Sequence, residues 1–162
     1  MKKRKILAIS VGRSDYDRYY PILNELSSKS NINLFLFISK THLDKKYGRT
    51  ELFIEKKFKI LKGKYTNLDF KKTIEDSLCQ DLSILIKKIK EINPDLIVIL
   101  GDRYEMLIGP IAAIPKNIPL IHFYGGAVTE GATVQAVIRT LPAEPGSNQC
   151  GGVFFRFRPI DG

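Results

Sequence analysis

Residues 32–39 read "INLFLFIS", a strand-length run with almost no polar interruption. A strand facing water on one side alternates apolar and polar residues; a run this continuous is buried on both faces, as in a parallel sheet. Parallel neighbours cannot be joined by tight hairpins, so such a sheet needs long crossovers, usually helical, between its strands. The rest of the sequence has that form. "KILAISV" (5–11) and "DLIVILG" (95–101) are compact apolar runs, the latter the strongest strand pattern in the chain. "FKILKG" (58–63) is a weaker third strand in chain order, and "IPLIHFYGG" (118–126) closes a series of five.

Helical patterns fill the gaps. "SDYDRYYPILNELSSKS" (14–30) carries Tyr16, Tyr20, Leu23 and Leu26 at helical spacing. Pro21 lies inside it and predicts a first turn that starts late or bends. "YGRTELFIEKK" (47–57) reads as a short helix. Residues 69–92 hold the longest signal, an apolar stripe of Ile74, Leu78, Leu82, Leu85, Ile86 and Ile89. Lys87, Lys88 and Lys90 lie near its end, where the helix dipole favours cations, and "NP" stops it. "EMLIGPIAAI" (105–114) predicts a helix kinked near Pro110. Five strands alternating with helices define an α/β protein: a parallel sheet with helices on both faces, joined by right-handed crossovers.

In such sheets ligands gather beyond the carboxyl ends of the strands. "GRSDYDR" (12–18), "SKTHLDKKYG" (39–48) and "GDRYE" (101–105) follow strands one, two and four, and "HFYGGAVTEGA" (122–132) begins within the fifth. Topology alone therefore predicts that these clusters converge. Gly12 permits close backbone approach at a helix N-terminus that offers free N–H groups to a phosphate, and Arg13 can add a bidentate contact. The stretch is not the G-x-G-x-x-G fingerprint, and a turn with a solvent-facing ion pair is the alternative. Asp102 ends the most buried strand, where desolvation raises a carboxylate pKa towards acid or base duty. Arg103 can hold it ionised or bind a phosphate; alternatively Asp102 caps the next helix. His42 and His122 lie on the same rim. Two histidines without a third ligand make a poor metal site, so none is expected, and a lone strand histidine is more often a hydrogen-bonded core residue. Gly125 and Gly126 allow a sharp turn beside a ligand. Glu130 is the carboxylate of that segment, or an exposed loop acid.

The 162 residues suit one domain. The formal charge of +9 comes from lysines crowded before residue 91, with only Lys116 beyond. An anionic partner is one source of such a bias. No arginine–aromatic interleaving accompanies it, so a solvated lysine-rich surface is expected and nucleic acid is not. Cys79 and Cys150 form neither a disulfide framework nor a zinc motif. The basic start lacks the apolar length of a signal peptide, and no run approaches the ~20 residues that span a bilayer. A soluble, cytoplasmic protein without membrane contact is the expectation.

Four stretches, "GRSDYDRYYPIL", "THLDKKYGRT", "GDRYEMLIGPIAA" and "IHFYGGAVTEGA", together resemble the hydrolysing UDP-N-acetylglucosamine 2-epimerases of sialic-acid biosynthesis. Sister enzymes acting on UDP-diacetylbacillosamine share these motifs. The resemblance runs from about Lys5 to Ala132. It implies a Rossmann-like sheet forming the first half of a GT-B-like two-domain fold, with UDP-sugar bound between the domains. It implies no cofactor, and a homo-oligomer as an option for full-length members. The implied reaction removes the sugar C2 proton, expels UDP, adds water at C1 and returns a proton to the other face of C2, giving N-acetylmannosamine and UDP. By the same resemblance Asp102, His42, His122 and Glu130 are the catalytic candidates. Arg13, Asp17, Arg103, Gly125 and Gly126 are the substrate-binding ones, although an aspartate at Asp17 would repel phosphate.

The departures are equally specific. The family pattern at the fifth strand is Gly-Gly-Glu, and Ala127 stands where that catalytic glutamate belongs. Thr133 and Val134 replace an acidic pair, and "VIRT" only echoes the helix that follows. The expected organisation is thus a UDP-sugar 2-epimerase N-terminal domain over 1–132 and a divergent, poorly ordered tail over 133–162, in which "GVFFRFR" (152–158) reads as an edge strand. The second domain is expected to be absent, as after truncation or a frameshift. The resemblance then implies a chain that is weak or inactive alone. The alternatives are a UDP-N,N'-diacetylbacillosamine 2-epimerase, a non-catalytic UDP-sugar-binding fragment and a glycosyltransferase half-domain.

Overall fold

The computed structural model describes residues 2–63, 65, 73–101 and 103–123, together with the backbone of 152–155. Its strands are β1 (Arg4–Ser10), β2 (Ile32–Ile38), β3 (Lys59–Leu61), β4 (Leu96–Leu100), β5 (Leu120–Phe123) and β6 (Gly152–Phe155). They form one sheet in the order β3-β2-β1-β4-β5-β6. β1 to β5 run parallel, as their continuous apolar patterns predict, and β6 joins antiparallel at the edge beside β5. The edge-strand reading of 152–158 thus holds over Gly152–Phe155. The remaining expectations for 133–162 lie outside the described residues.

Alternation along each strand divides the core in two. Leu7, Ile9 and Val11 point to one face, with Ile97 and Ile99 of β4. Helix α3 (Ile74–Ile92) covers that face through Leu85 and Ile89, and α4 (Ile108–Ala113) through Ile108, Ala112 and Ala113. Ile6 and Ala8 point to the other face, where α1 (Arg13–Ser28) packs Tyr16, Tyr19 and Leu23 against them. Both faces of β1 and β4 are therefore dry, which is why their sequences carry no polar alternation. Gly109 lets α4 lie close: a Cβ there would fall 2.8 Å from Ile99 and 3.1 Å from Ile9.

Several local outcomes differ from the sequence pattern. α1 begins at Arg13 rather than late and runs through Pro21. Pro21 and Asp17 are exposed, so the Asp17 carbonyl that loses its N–H partner faces water. The helix expected over 47–57 is two 3-10 pieces, Lys45–Tyr47 and Thr50–Phe53, preceded by the short α2 (Lys40–Leu43). Gly48 and Arg49 separate the pieces with positive φ of 79° and 46°. α3 starts at Ile74, where the Thr73 hydroxyl accepts from the Asp76 N–H; the expected start at 69 lies outside the described residues. Ile74, counted in the apolar stripe, is 59% exposed. In place of the single helix kinked near Pro110 that the pattern predicts, α4 is short and flanked by 3-10 turns over Tyr104–Leu107 and Ile114–Lys116.

Candidate functional site

The strand order fixes where a site can form. From β1 the chain moves outward through β2 and β3, then returns to place β4 on the other side of β1. The connections leaving β1 and β4 diverge at this switch point and open a crevice beyond their carboxyl ends. Gly12 precedes the first turn of α1 on one side. On the other, Gly101 turns with φ 90°, a conformation that favours glycine. Its N–H donates to the Phe123 carbonyl at 3.1 Å, and its carbonyl accepts from His122 Nε2 at 2.6 Å. His122, in register with Ile99 on the neighbouring strand, thus braces the turn that leads into Asp102.

Arg13 and Arg103 line one cavity of about 230 Å³ at this point, with Gly12, Ser14, Thr41, Tyr47 and Thr50. The Arg103 guanidinium is held by Glu105, Nη2 to Oε1 at 2.6 Å and Nε to Oε2 at 3.3 Å. That fork fixes the plane of the guanidinium and raises its pKa further above its already high value. Arg13 is looser: Nε lies 3.9 Å from Asp17, both side chains are exposed, and its guanidinium sits 5.9 Å from the centre of the Phe53 ring. A second cavity of about 200 Å³ shares Thr41, Tyr47 and Arg103 and extends to Lys40, Lys46, Asp44 and Asp81. Asp81 accepts from the Lys40 backbone N–H at 3.2 Å and from the Tyr65 hydroxyl. Burial outweighs these bonds and pushes its pKa up to about 6.

His42 is fully buried. Its Nε2 lies 2.9 Å from the Ser10 hydroxyl and its Nδ1 lies 2.8 Å from the Thr50 hydroxyl. Burial, helped by the Arg103 charge, drives its pKa down to about 4, so the ring is neutral near pH 7. Of the two readings left open by the sequence, its surroundings are those of a hydrogen-bonded core residue; it lies behind the cavity wall that Thr50 forms.

The structure thus brings Arg13, Arg103 and the His122-braced turn to one rim, with His42 behind it and Asp17 beside Arg13. Asp102, Gly125, Gly126, Ala127 and Glu130 lie outside the described residues. Sequence reasoning passed over Glu105, although the Arg-x-Glu spacing in "GDRYE" signals it. It also passed over Asp15, one of the two acids in "GRSDYDR". Asp15 is 6% exposed, and its Oδ2 is buried without a hydrogen-bond partner. Burial raises its pKa to about 6, against the pull of Arg103. Among the described residues no cluster of three or more His, Cys, Asp or Glu side chains is arranged to hold a metal ion, and no helix is long and apolar enough to cross a membrane.

This sheet order, with cations at the switch point, is a Rossmann-like fold of the kind found in the first half of GT-B proteins. The model of the family described as UDP-N-acetylglucosamine 2-epimerase matches residues 24–142. A "GDP/UDP-N,N'-diacetylbacillosamine 2-epimerase (hydrolyzing)" of Campylobacter jejuni is 35% identical over 145 residues, covering 87% of this chain and 37% of that one. A "UDP-N,N'-diacetylbacillosamine 2-epimerase (hydrolyzing)" of Legionella pneumophila is 31% identical, covering 84% and 36%. The fold matches the Neisseria meningitidis UDP-GlcNAc 2-epimerase bound to UDP-GlcNAc with a TM-score of 0.66 at 19% identity, over 83% of this chain and 37% of that one. The chain belongs to the UDP-N-acetylglucosamine 2-epimerase family. It spans little more than a third of the length of these relatives.

Proposed function

We propose that this chain forms one wall of a UDP-sugar cleft and belongs to the hydrolysing 2-epimerase chemistry that converts UDP-N-acetylglucosamine to N-acetylmannosamine and UDP. The observation that carries this reading is the convergence of Arg13 and Arg103 on one cavity at the switch point. There, two guanidinium groups and the first N–H groups of α1 favour a diphosphate, the leaving group of the reaction. Arg103, pre-set by Glu105, is the fixed contact. Arg13, free to move, closes on the ligand, and Asp17 is its partner when the ligand is away. Asp102, next along the chain from the braced Gly101, is the acid/base group at C2. His122 acts by holding the backbone that presents it and His42 by holding the Thr50 side of the cavity. Gly125 and Gly126 give the ligand room, and Glu130 is the remaining acid of the fifth-strand segment.

Ala127 cannot move a proton, so the reaction lacks an acid/base group on that side of the sugar. Binding without efficient turnover is the expected behaviour of this chain, in the cytoplasm, on the route to sialic-acid-type sugars. Calorimetry with UDP-N-acetylglucosamine should give saturable binding, and an assay for released UDP should give little. Absence of binding contradicts the proposal. A second reading, UDP-N,N'-diacetylbacillosamine as the ligand, is favoured by the names of the two relatives at 35% and 31% identity. Tighter binding of that sugar nucleotide in the same titration would select it.

A further inference from the structure

Asp15 stands at the third position of α1, so its carboxyl folds back beneath the first turn of the helix. Oδ1 has only the Ser14 hydroxyl, at a long 3.5 Å, and Oδ2 has no partner. A Cβ built on Gly12 would lie 3.9 Å from Oδ2, and one on Gly101 would lie 3.8 Å from Oδ1. The carboxyl is therefore wedged between the two glycine turns that floor the switch-point crevice, directly behind the cavity holding Arg13 and Arg103. Buried polar groups are nearly always hydrogen-bonded, and a buried carboxylate with an empty oxygen is costly. A protonated carboxyl at this place lowers that cost and leaves the crevice more positive.

We propose that Asp15 is a positioning residue whose carboxyl carries a proton when the crevice holds a sugar-nucleotide diphosphate, so that ligand and proton bind together. This rests on the nucleotide-sugar reading above and adds a regulation of that site. Among the described residues, the charged and titratable groups around Asp15 are Arg103 and Glu105 from the segment after β4, and Arg18 and Tyr19 from its own helix. With the crevice empty they leave its pKa at about 6. Two added negative charges of a diphosphate raise it further. Between the two values binding takes up one proton, and affinity falls by up to about tenfold per pH unit as pH rises.

The test is calorimetric titration of the full chain and of Asp15→Asn with UDP-N-acetylglucosamine between pH 5.5 and 8. This ligand has no terminal phosphate with a pKa near ~6 to confuse the profile. The chain should bind about tenfold more weakly at pH 8 than at pH 6. Asp15→Asn should bind at pH 8 about as well as the parent does at pH 6, with a flat profile. Repeating the parent titration at pH 7 in two buffers of different ionisation enthalpy should reveal proton uptake, a readout that needs no variant. A flat parent profile, no uptake, or an unchanged slope in Asp15→Asn overturns the inference and leaves the nucleotide-sugar reading standing; an unchanged slope would point to Asp81. No saturable binding at any pH overturns both.

Discussion

His42 and Asp15 are both buried beside the end of β1, yet the fold treats them differently. On the β2 side, both ring nitrogens of His42 meet hydroxyls, Ser10 and Thr50, at 2.9 and 2.8 Å. On the β4 side, Asp15 has one long contact and one oxygen with none. Burial disfavours the charged form of both groups, but only His42 has hydrogen-bond partners at both of its polar atoms. A satisfied network holds a shape, whereas an unsatisfied buried group marks a place where stability is given up and function is the usual reason. The β2 side of the crevice is accordingly its frame, and the β4 side, with Gly101, Arg103 and Glu105, is where the proposed function puts the chemistry.

The largest expected effect tests the frame. His42→Ala opens a cavity and strands two buried hydroxyls, which should destabilise the chain by about 3 kcal/mol in denaturant unfolding. A loss below about 1 kcal/mol would mean that the network is not what holds the β2 side. Next, Arg103→Ala should weaken UDP-N-acetylglucosamine binding by roughly 30-fold, about 2 kcal/mol, through loss of a charged fork. Arg13→Ala should do less, because that side chain is not held in advance. Equal effects from the two arginines would erase the distinction between a fixed and a mobile contact. Gly101→Ala should destabilise by about 1–2 kcal/mol because of its positive φ, since the added Cβ would make only an ordinary contact, 3.8 Å, with Asp15 Oδ1.

The smallest effect has the opposite sign and the sharpest pH signature. The native state keeps the Asp15 proton up to about pH 6, whereas the carboxyl ordinarily loses it near 3.8. Stability from this group therefore falls as pH rises from about 4 to about 6. Asp15→Asn removes that loss and should be more stable than the parent by about 1 kcal/mol at pH 7, with no gain below about pH 4. His42 runs the other way: the unfolded ring takes a proton below about 6.5, the native ring only near 4, so stability falls as pH drops through that window. Unfolding curves of the parent and Asp15→Asn at pH 4, 5.5 and 7 separate the two trends. A variant no more stable than its parent at pH 7 would show that the carboxyl carries no burial penalty.

The sheet was legible because burial on both faces leaves a direct trace in composition: "INLFLFIS" and "DLIVILG" admit few other readings. Strand pairing then placed Arg13 and Arg103 on one rim from topology alone. Side-chain partnerships were not legible. Ser10 and Thr50 reach His42 from positions 32 and 8 residues away, and no local pattern announces such a meeting. Asp15 and Asp17 look alike in "GRSDYDR", but two residues on a helix turn one inward and the other to solvent. The helix expected over 47–57 broke because Gly48 and Arg49 both take positive φ. Glycine permits this readily, and an arginine there signals it poorly.

The central claim is a place: a diphosphate binds where β1 and β4 part. Amide chemical-shift mapping during titration with UDP-N-acetylglucosamine tests it most directly. The largest shifts should fall on Gly12 to Asp15, on Gly101 and Arg103, and on Thr41 and Tyr47, with little change along the amino ends of the strands. Saturable shifts centred elsewhere, such as around Lys2 to Arg4 and Asp95 at the opposite end of the sheet, would contradict it.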